Sequence, residues 1–506
     1  MKEAQKQLLE DYDLKTVPLE QRRSWLDLAV VWIGVAVVLS AILRGMMIGL
    51  GMGSIPRVLG AYFLGEALLI AMMALMGYLG ARTGLTTALL ARISFGRKGA
   101  WLISLCLGLA FMGWFGIQAG LFAETFQVFL STSFPLPWLA FGFGLLMMLP
   151  AVFGFRGLKA LSWLAVPPMI IIFIYAALSL KNSLLPADKL VQLAQNHTPT
   201  PYPLTLGGAA SIIAGGFIVG AVTAADIFRY ARPKLREILA ASLLAMLASA
   251  GMQLVGSVLA MKTGLYHENL PALIIKPEYA GLGLVGFLAI AFAQWTTNDS
   301  NLYSSVLAFN SILKWTRWKL AILLGIISSL LAAGGILSRL GGFLSLLSIG
   351  IGPIGGILMA DFFFLHRGKW GAWEAVKREE EEKEAEKEVE LPEKVDKLEK
   401  EEGKEREKEK EKKTEWMKGV KKGEEEKEKE ESKPPCQLGI KFRDKFREWN
   451  PVALGAYGLG FLVGWLTSGH PWHISVFPFS IYAFNGILSA ALAYWLGVKI
   501  VGGKLF

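Results

Sequence analysis

Stretches of about 20 apolar residues, the length that crosses a ~30 Å hydrocarbon layer, recur along nearly the whole chain. This feature constrains the fold most, because only an α-helical bundle satisfies the backbone in so many consecutive apolar spans. About twelve such spans are present, so the sequence predicts an all-α integral membrane protein. Composition agrees: 53% of the 506 residues are hydrophobic, 55 are glycine and the mean hydropathy is +0.43, which excludes an ordinary soluble enzyme.

The formal net charge of +10 reads as topology rather than as nucleic-acid affinity, because the basic residues sit mainly in alternate short loops. The loops at 80–98 and around Arg156 and Lys159, and the basic stretch 226–234, are expected inside; the weakly charged connections 181–205 and 266–281 are expected outside. The polar N-terminal segment lacks the short apolar core and cleavage site of a signal peptide. The reading is a multi-pass protein of the cell membrane, surrounded by lipid, with both termini cytoplasmic.

Four segments are expected. Residues 1–26 form a cytoplasmic N-terminal segment; 27–365 form a ten-helix core with repeats at about 27–181 and 207–365; 366–445 form a cytoplasmic Glu/Lys-rich insertion; and 446–506 form two C-terminal transmembrane helices. Residues 374–433 are almost all Glu and Lys, too poor in apolar side chains to build a core.

Span 1 carries glycines at 45, 49, 51 and 53, which predict an irregular second half; Arg44 lies beside them, and although an intramembrane arginine flags function, one near a span end reads as snorkelling to the interface. Span 6 holds Gly215, Gly216 and Gly220, each costing about 1 kcal/mol of helix relative to alanine, and is expected to break there. Glycine-interrupted spans at corresponding places in two halves point to a transporter of inverted repeats with a midplane site.

Three polar constellations sit at that depth. Trp114 and Gln118 are four residues apart, stacking an indole over a carboxamide on one helix face. A planar, polar-edged ring fits there, although a tryptophan packed on a neighbouring helix and a glutamine bonded to backbone would look the same. The second is the glycine break with Phe217. The third is Thr296–Asn301 in span 8, costly in a membrane unless it lines a site. Thr296 and Thr297, with the carbonyl of Ala293, suit a small hard cation such as sodium if span 1 presents freed carbonyls opposite. Back-bonding of the hydroxyls to their own helix is the alternative. Glu66, Glu124 and Asp299 are carboxylates through which protons, instead of sodium, would couple. No phosphate-binding loop, metal-spaced histidine pair, CxxC or nucleophile turn is present, so no enzyme is expected.

The stretches Gly113-Trp114-Phe115-Gly116, 77–87 with 89–96, Trp295-Thr296-Thr297-Asn298-Asp299, and Pro353-Ile354-Gly355-Gly356 with Ala360-Asp361 resemble the cytosine permeases of the nucleobase:cation symporter-1 family. The resemblance spans all twelve apolar segments and implies a twelve-helix bundle with a five-plus-five inverted repeat like the bacterial leucine transporter, with helices 1 and 6 discontinuous. It also implies sodium-driven import of a nucleobase, with no nucleic-acid or obligatory protein partner. By resemblance Trp114, Gln118, Gly216, Phe217 and Asn298 belong to the substrate site, and Thr296, Thr297, Ala293 and the carbonyls near Val35 and Val38 to the sodium site. The chain departs from the cytosine permeases at Phe111, Gly216, Val219 and Ala293, where they carry glutamine, serines and asparagine, while Gln118 resembles a glutamine of the hydantoin and allantoin transporters. A proton-coupled transporter of a purine, a hydantoin or allantoin, or a hydroxymethylpyrimidine-type ring is the alternative.

Overall fold

The computed structural model describes residues 16–17, 19, 22–153, 170–180, 184–195, 204–265, 270–313, 315–368, 370, 448–468 and 480–501. The Arg156/Lys159 loop, the start of span 5, most of the N-terminal segment and the Glu/Lys-rich stretch 374–433 lie outside them. The chain separates into two units, Met1–Leu365 with Phe446–Phe506, and His366–Lys445; of the second, only residues 366–368 and 370 are described. All elements below belong to the first unit.

That unit is helical. Ser24 starts α1 (Trp25–Ala36), its Oγ accepting from the Asp27 amide at 3.3 Å, and Asp27 places negative charge in the first turn. The helix stops at two β-branched residues; Val38 is extended (φ −134°, ψ 155°), and α2 (Leu39–Met52) resumes after a 59° bend. Span 1 is therefore broken between Ala36 and Leu39, while its glycine-rich half, expected to be irregular, is a continuous helix. The reason lies in packing. A Cβ on Gly45 would overlap the Gln253 carbonyl oxygen, and one on Gly256 would overlap the Ile42 carbonyl oxygen. The glycines thus let α2 meet the helix Leu235–Thr263 backbone to backbone, as small residues do between membrane helices.

Further along, α3 (Ile55–Thr83) carries Tyr62 and Glu66, the short α4 (Thr87–Phe95) follows, and α5 (Gly99–Leu130) is the longest helix among the described residues. Next come α6 (Leu136–Phe153), the short apolar α7 (Ile170–Ser179) and α8 (Ala187–Gln195). Span 6 is divided into α9 (Leu206–Gly215), α10 (Ile218–Val222) and α11 (Ala225–Phe228). Phe217, at φ −136° and ψ 3°, occupies the break that the glycines predict. The remaining helices are α12 (Leu235–Thr263), α13 (Leu270–Ile275), α14 (Gly283–Leu313), α15 (Arg317–Ala333), α16 (Leu340–Met359), α17 (Pro451–Thr467) and α18 (Tyr482–Val501). Among the described residues, five spans are singly long and apolar enough to cross a membrane, and α1 with α2 and α14 with α15 form two bent pairs.

Helix α5 packs on α6, α14, α15 and α16. Met112, Phe115 and Phe122 of α5 join Met147 of α6, Leu302 of α14 and Leu324 of α15 in one buried apolar cluster. A second group of contacts couples α2 to α12, and α3 to α9, α11 and α12. The two broken helices therefore lie in one helical group and the polar helices α5 and α14 in another.

At one end of the bundle, polar ties hold α4. The Thr87 amide donates to Asp226 Oδ1 at 2.6 Å, Ser94 Oγ to Asp361 Oδ2 at 2.5 Å, and Asn450 Nδ2 to the Ser94 carbonyl at 2.7 Å. Asn450 also caps α17, its Oδ1 accepting from the Val452 and Ala453 amides. Two residues earlier, Glu448 pairs with Arg97 at 2.8 Å and Lys98 at 2.7 Å; the Lys98 ammonium and Arg97 guanidinium hold its carboxyl below the usual range. Asn450→Ala is expected to lower the thermal-denaturation midpoint by the equivalent of about 1–2 kcal/mol, since it removes a cap and a buried tie. Glu448→Gln, which breaks only exposed pairs, should leave the midpoint within error.

Candidate functional site

The break in span 6 brings aromatic rings together. Phe217 is buried and meets Trp32 of α1 edge-on, with centroids 5.9 Å apart at 61°; Trp32 in turn lies 5.9 Å from Phe228. The Trp32 indole N–H is buried without a hydrogen-bond partner. Trp32 escapes sequence reading because it sits in an unbroken apolar run; the one usable signal is its place a turn before the Val37–Val38 interruption.

Helix α10 packs against α5, which supplies Trp114 and Gln118. Both are buried, and Trp114 lies edge-on to Phe343 of α16, centroids 5.5 Å apart at 81°. The described ring contacts thus pair Phe217 with Trp32, and Trp114 with Phe343. Gln118 is 1% exposed, and its Oε1 has no partner. A buried amide oxygen left unpaired costs about 1–3 kcal/mol, so this position calls for a donor from a ligand or water.

On α14, Ala293, Asn298 and Asp299 are buried and Thr297 is half-buried. The Thr297 hydroxyl donates to the Ala293 carbonyl at 2.9 Å, the back-bond that membrane-helix threonines adopt. Thr296 occupies the same turn. Asn298 directs Nδ2 toward Met147 Sδ of α6 at 3.3 Å, so its amide lies against the α5–α6–α14 cluster; its Oδ1 is unpartnered. Val35 lies in the last turn of α1 and Val38 at the bend itself, and α14 touches α2, the helix that follows the bend. Gln294 carries two further unpartnered buried atoms on α14.

Arg44 does not snorkel. It is 1% exposed on α2, in the interior of the bundle, because α3, α8, α9, α12 and α14 all pack on this helix and every one of its residues is buried. Its guanidinium lies against Gly216: a Cβ there would overlap the Arg44 Nε and Cδ atoms. Glu66 and Tyr62 of α3 are its electrostatic neighbours. Around them, Gln253 of α12 donates through Nε2 to Glu66 Oε1 at 2.6 Å and to Ser249 Oγ at 3.1 Å. Tyr62 shares a 2.6 Å hydrogen bond with Ser257, which donates to the Gly45 carbonyl at 2.7 Å. Among the described residues, no group of three His, Cys, Asp or Glu side chains is arranged to hold a metal ion.

Residues 16–382 match the family model described as permease for cytosine/purines, uracil, thiamine, allantoin. Cytosine permease of Escherichia coli K12 is 33% identical over 353 residues, covering 69% of this chain and 80% of that protein. A purine-uracil permease of Arabidopsis thaliana is 34% identical over 139 residues, 25% of this chain and 22% of its own length. Among solved structures, that of Mhp1, a nucleobase-cation-symport-1 family transporter in a closed conformation with bromovinylhydantoin bound, aligns with a TM-score of 0.67 at 17% identity. It covers 97% of this chain and 96% of Mhp1.

Proposed function

Because the chain belongs to the family of permeases for cytosine/purines, uracil, thiamine and allantoin, and is a membrane transporter rather than an enzyme, we propose that it imports a nucleobase-like planar heterocycle by sodium-coupled alternating access. The observation that carries this reading is the meeting of two broken helices at buried aromatics, Trp32 and Phe217, beside a helix whose Gln118 oxygen is unpaired. Aromatic faces bind any planar ring, and an unpaired amide selects by edge, since a missing hydrogen-bond partner costs far more than a missing methyl. Trp114 and Asn298 complete the proposed substrate set with Gly216.

Sodium fits the oxygen donors of α14. The Ala293 carbonyl and Thr297 hydroxyl already face each other, and Thr296 with the carbonyls near Val35 and Val38 completes a set of neutral oxygens, the donor type a hard monovalent cation takes. Occupancy of that site would favour the substrate-binding conformation, and the linkage is reciprocal. Uptake of radiolabelled cytosine into proteoliposomes is expected to follow an inward sodium gradient. Thr297→Val, which keeps shape and removes one oxygen, is expected to raise the sodium concentration for half-maximal uptake about tenfold, at the equivalent of one lost ion-directed bond. Sodium-independent uptake that rises steeply as external pH falls would overturn sodium coupling and move the role to Glu66, whose Oε2 is buried and unpartnered.

We further propose that the Glu/Lys-rich segment is a cytoplasmic appendage to a cell-membrane transporter whose termini both lie inside. Deleting residues 374–433 and joining the flanks with a short Gly/Ser linker should leave substrate affinity unchanged. Loss of binding by a correctly inserted deletion would overturn that assignment.

A further inference from the structure

The Arg44 cluster concentrates buried charge that neither the substrate set nor the sodium set uses. It rests on three elements. The guanidinium comes from α2, the carboxylate from α3 and the amide from α12, and all three side chains are at most 6% exposed. Their pairing is incomplete: Arg44 Nε, Glu66 Oε2 and Gln253 Oε1 have no hydrogen-bond partner. A guanidinium donates only, and burying an unpaired donor is costly, so the cluster offers one donor group flanked by two acceptors.

Position gives this pattern a use. The guanidinium fills the space where a side chain at residue 216 would lie, and residue 216 immediately precedes Phe217, the ring at the helix break. Glycine at 216 is what admits the arginine. We propose that Arg44 is a specificity-determining residue of the substrate site, selecting heterocycles that turn a ring carbonyl oxygen toward the break. The inference rests on the nucleobase-like reading of that site and narrows it. A cyclic amide edge, –NH–C(=O)–, presents an acceptor to Arg44 and a donor to the carboxylate or amide oxygen beside it. An exocyclic amine in place of the carbonyl points N–H groups at a cation that cannot accept them. Arg44 also sits at the C-terminal end of α9, where a cation stabilises the helix dipole. A role limited to that would change all ligands alike.

The test is competition binding to the purified full chain at fixed sodium and pH, using two matched pairs whose amino member has no ring carbonyl: 4-pyrimidinone against 4-aminopyrimidine, and hypoxanthine against adenine. The parent protein is expected to prefer the oxo member of each pair by about tenfold or more, the scale of one charge-assisted hydrogen bond. Arg44→Gln should erase that preference by weakening the oxo members while the amino members change less than about threefold. Removing the arginine leaves Glu66 without its cation, so Arg44→Gln/Glu66→Gln is measured in parallel. Gly216→Ala provides a third route, because its Cβ displaces the guanidinium without altering any charge. Equal binding of oxo and amino members by the parent, or a preference that survives in whichever of the three variants folds, overturns the assignment of Arg44 alone. If neither these four rings nor cytosine binds the parent, the nucleobase reading falls and this inference falls with it.

Discussion

Gly45→Val and Gly256→Val are expected to abolish recovery of folded protein, whereas Gly34→Val is expected to be tolerated. A Cβ on Gly45 overlaps the Gln253 carbonyl oxygen and one on Gly256 overlaps the Ile42 carbonyl oxygen, while one on Gly34 meets nothing within 4 Å. The obstructing atoms are backbone, so no rotamer change relieves the overlap; the helices must separate along the whole contact. Separation would also break the 2.7 Å bond from Ser257 Oγ to the Gly45 carbonyl and loosen the Tyr62–Ser257 pair. Overpacking alone costs about 1–3 kcal/mol, and each lost buried hydrogen bond about 1–3 kcal/mol more. With both bonds lost the sum, roughly 3–9 kcal/mol, reaches into the about 5–15 kcal/mol that holds a whole domain folded. Fluorescence-detected size exclusion of detergent extracts reads the outcome, and Gly45→Ala sharpens it, because the Cβ itself is the clashing atom. A monodisperse Gly45→Val protein with the parent's melting midpoint would show that the α2–α12 contact is not built as described.

The same glycines explain what sequence reading reaches and where it stops. Glycine inside an apolar span either weakens the helix or lets another backbone approach, and composition does not separate the two. In span 6, three glycines within six residues do interrupt the helix, at Gly216–Phe217. In span 1, Gly45 and Gly49 fall four apart on one face, the spacing of close helix packing, and the interruption lies upstream at Val37–Val38. The recurring apolar runs and the motif stretches were sufficient for the fold class and the family, because both are local properties of the chain. Arg44 shows the opposite case. Its burial comes from helices far along the chain, α12 packed on α2 and the break at Gly216, and only the packed bundle shows that a guanidinium near a span end faces inward. Trp32 is invisible for a similar reason: its place comes from contact with Phe217, a residue far along the chain.

Phe217→Ala is expected to weaken every planar ligand by roughly 10- to 100-fold, the effect of about 1–3 kcal/mol found for base stacking on aromatic side chains. Trp32 enters this prediction through the structure, since it meets Phe217 at 5.9 Å and forms the wall on the α1 side of the break. Trp32→Phe retains an aromatic face and removes the unpartnered indole N–H; it should cost less than Phe217→Ala in total affinity. Trp114→Ala is expected to weaken the whole panel as well, with the vacated space next to Phe343 adding a packing penalty to the melting midpoint. Gln118→Leu acts on choice rather than on affinity, because leucine preserves bulk and removes the one buried amide oxygen on α5 that lacks a partner. It should re-rank the panel, penalising most those ligands that carry a ring N–H on the edge facing α5. Binding at fixed sodium separates these effects from the transport cycle. An unchanged ligand order in Gln118→Leu, together with full affinity in both Phe217→Ala and Trp114→Ala, would place the substrate away from the junction of α5 with the broken helix. In that event the aromatic pairs Trp32–Phe217 and Trp114–Phe343 serve only to pack the bundle.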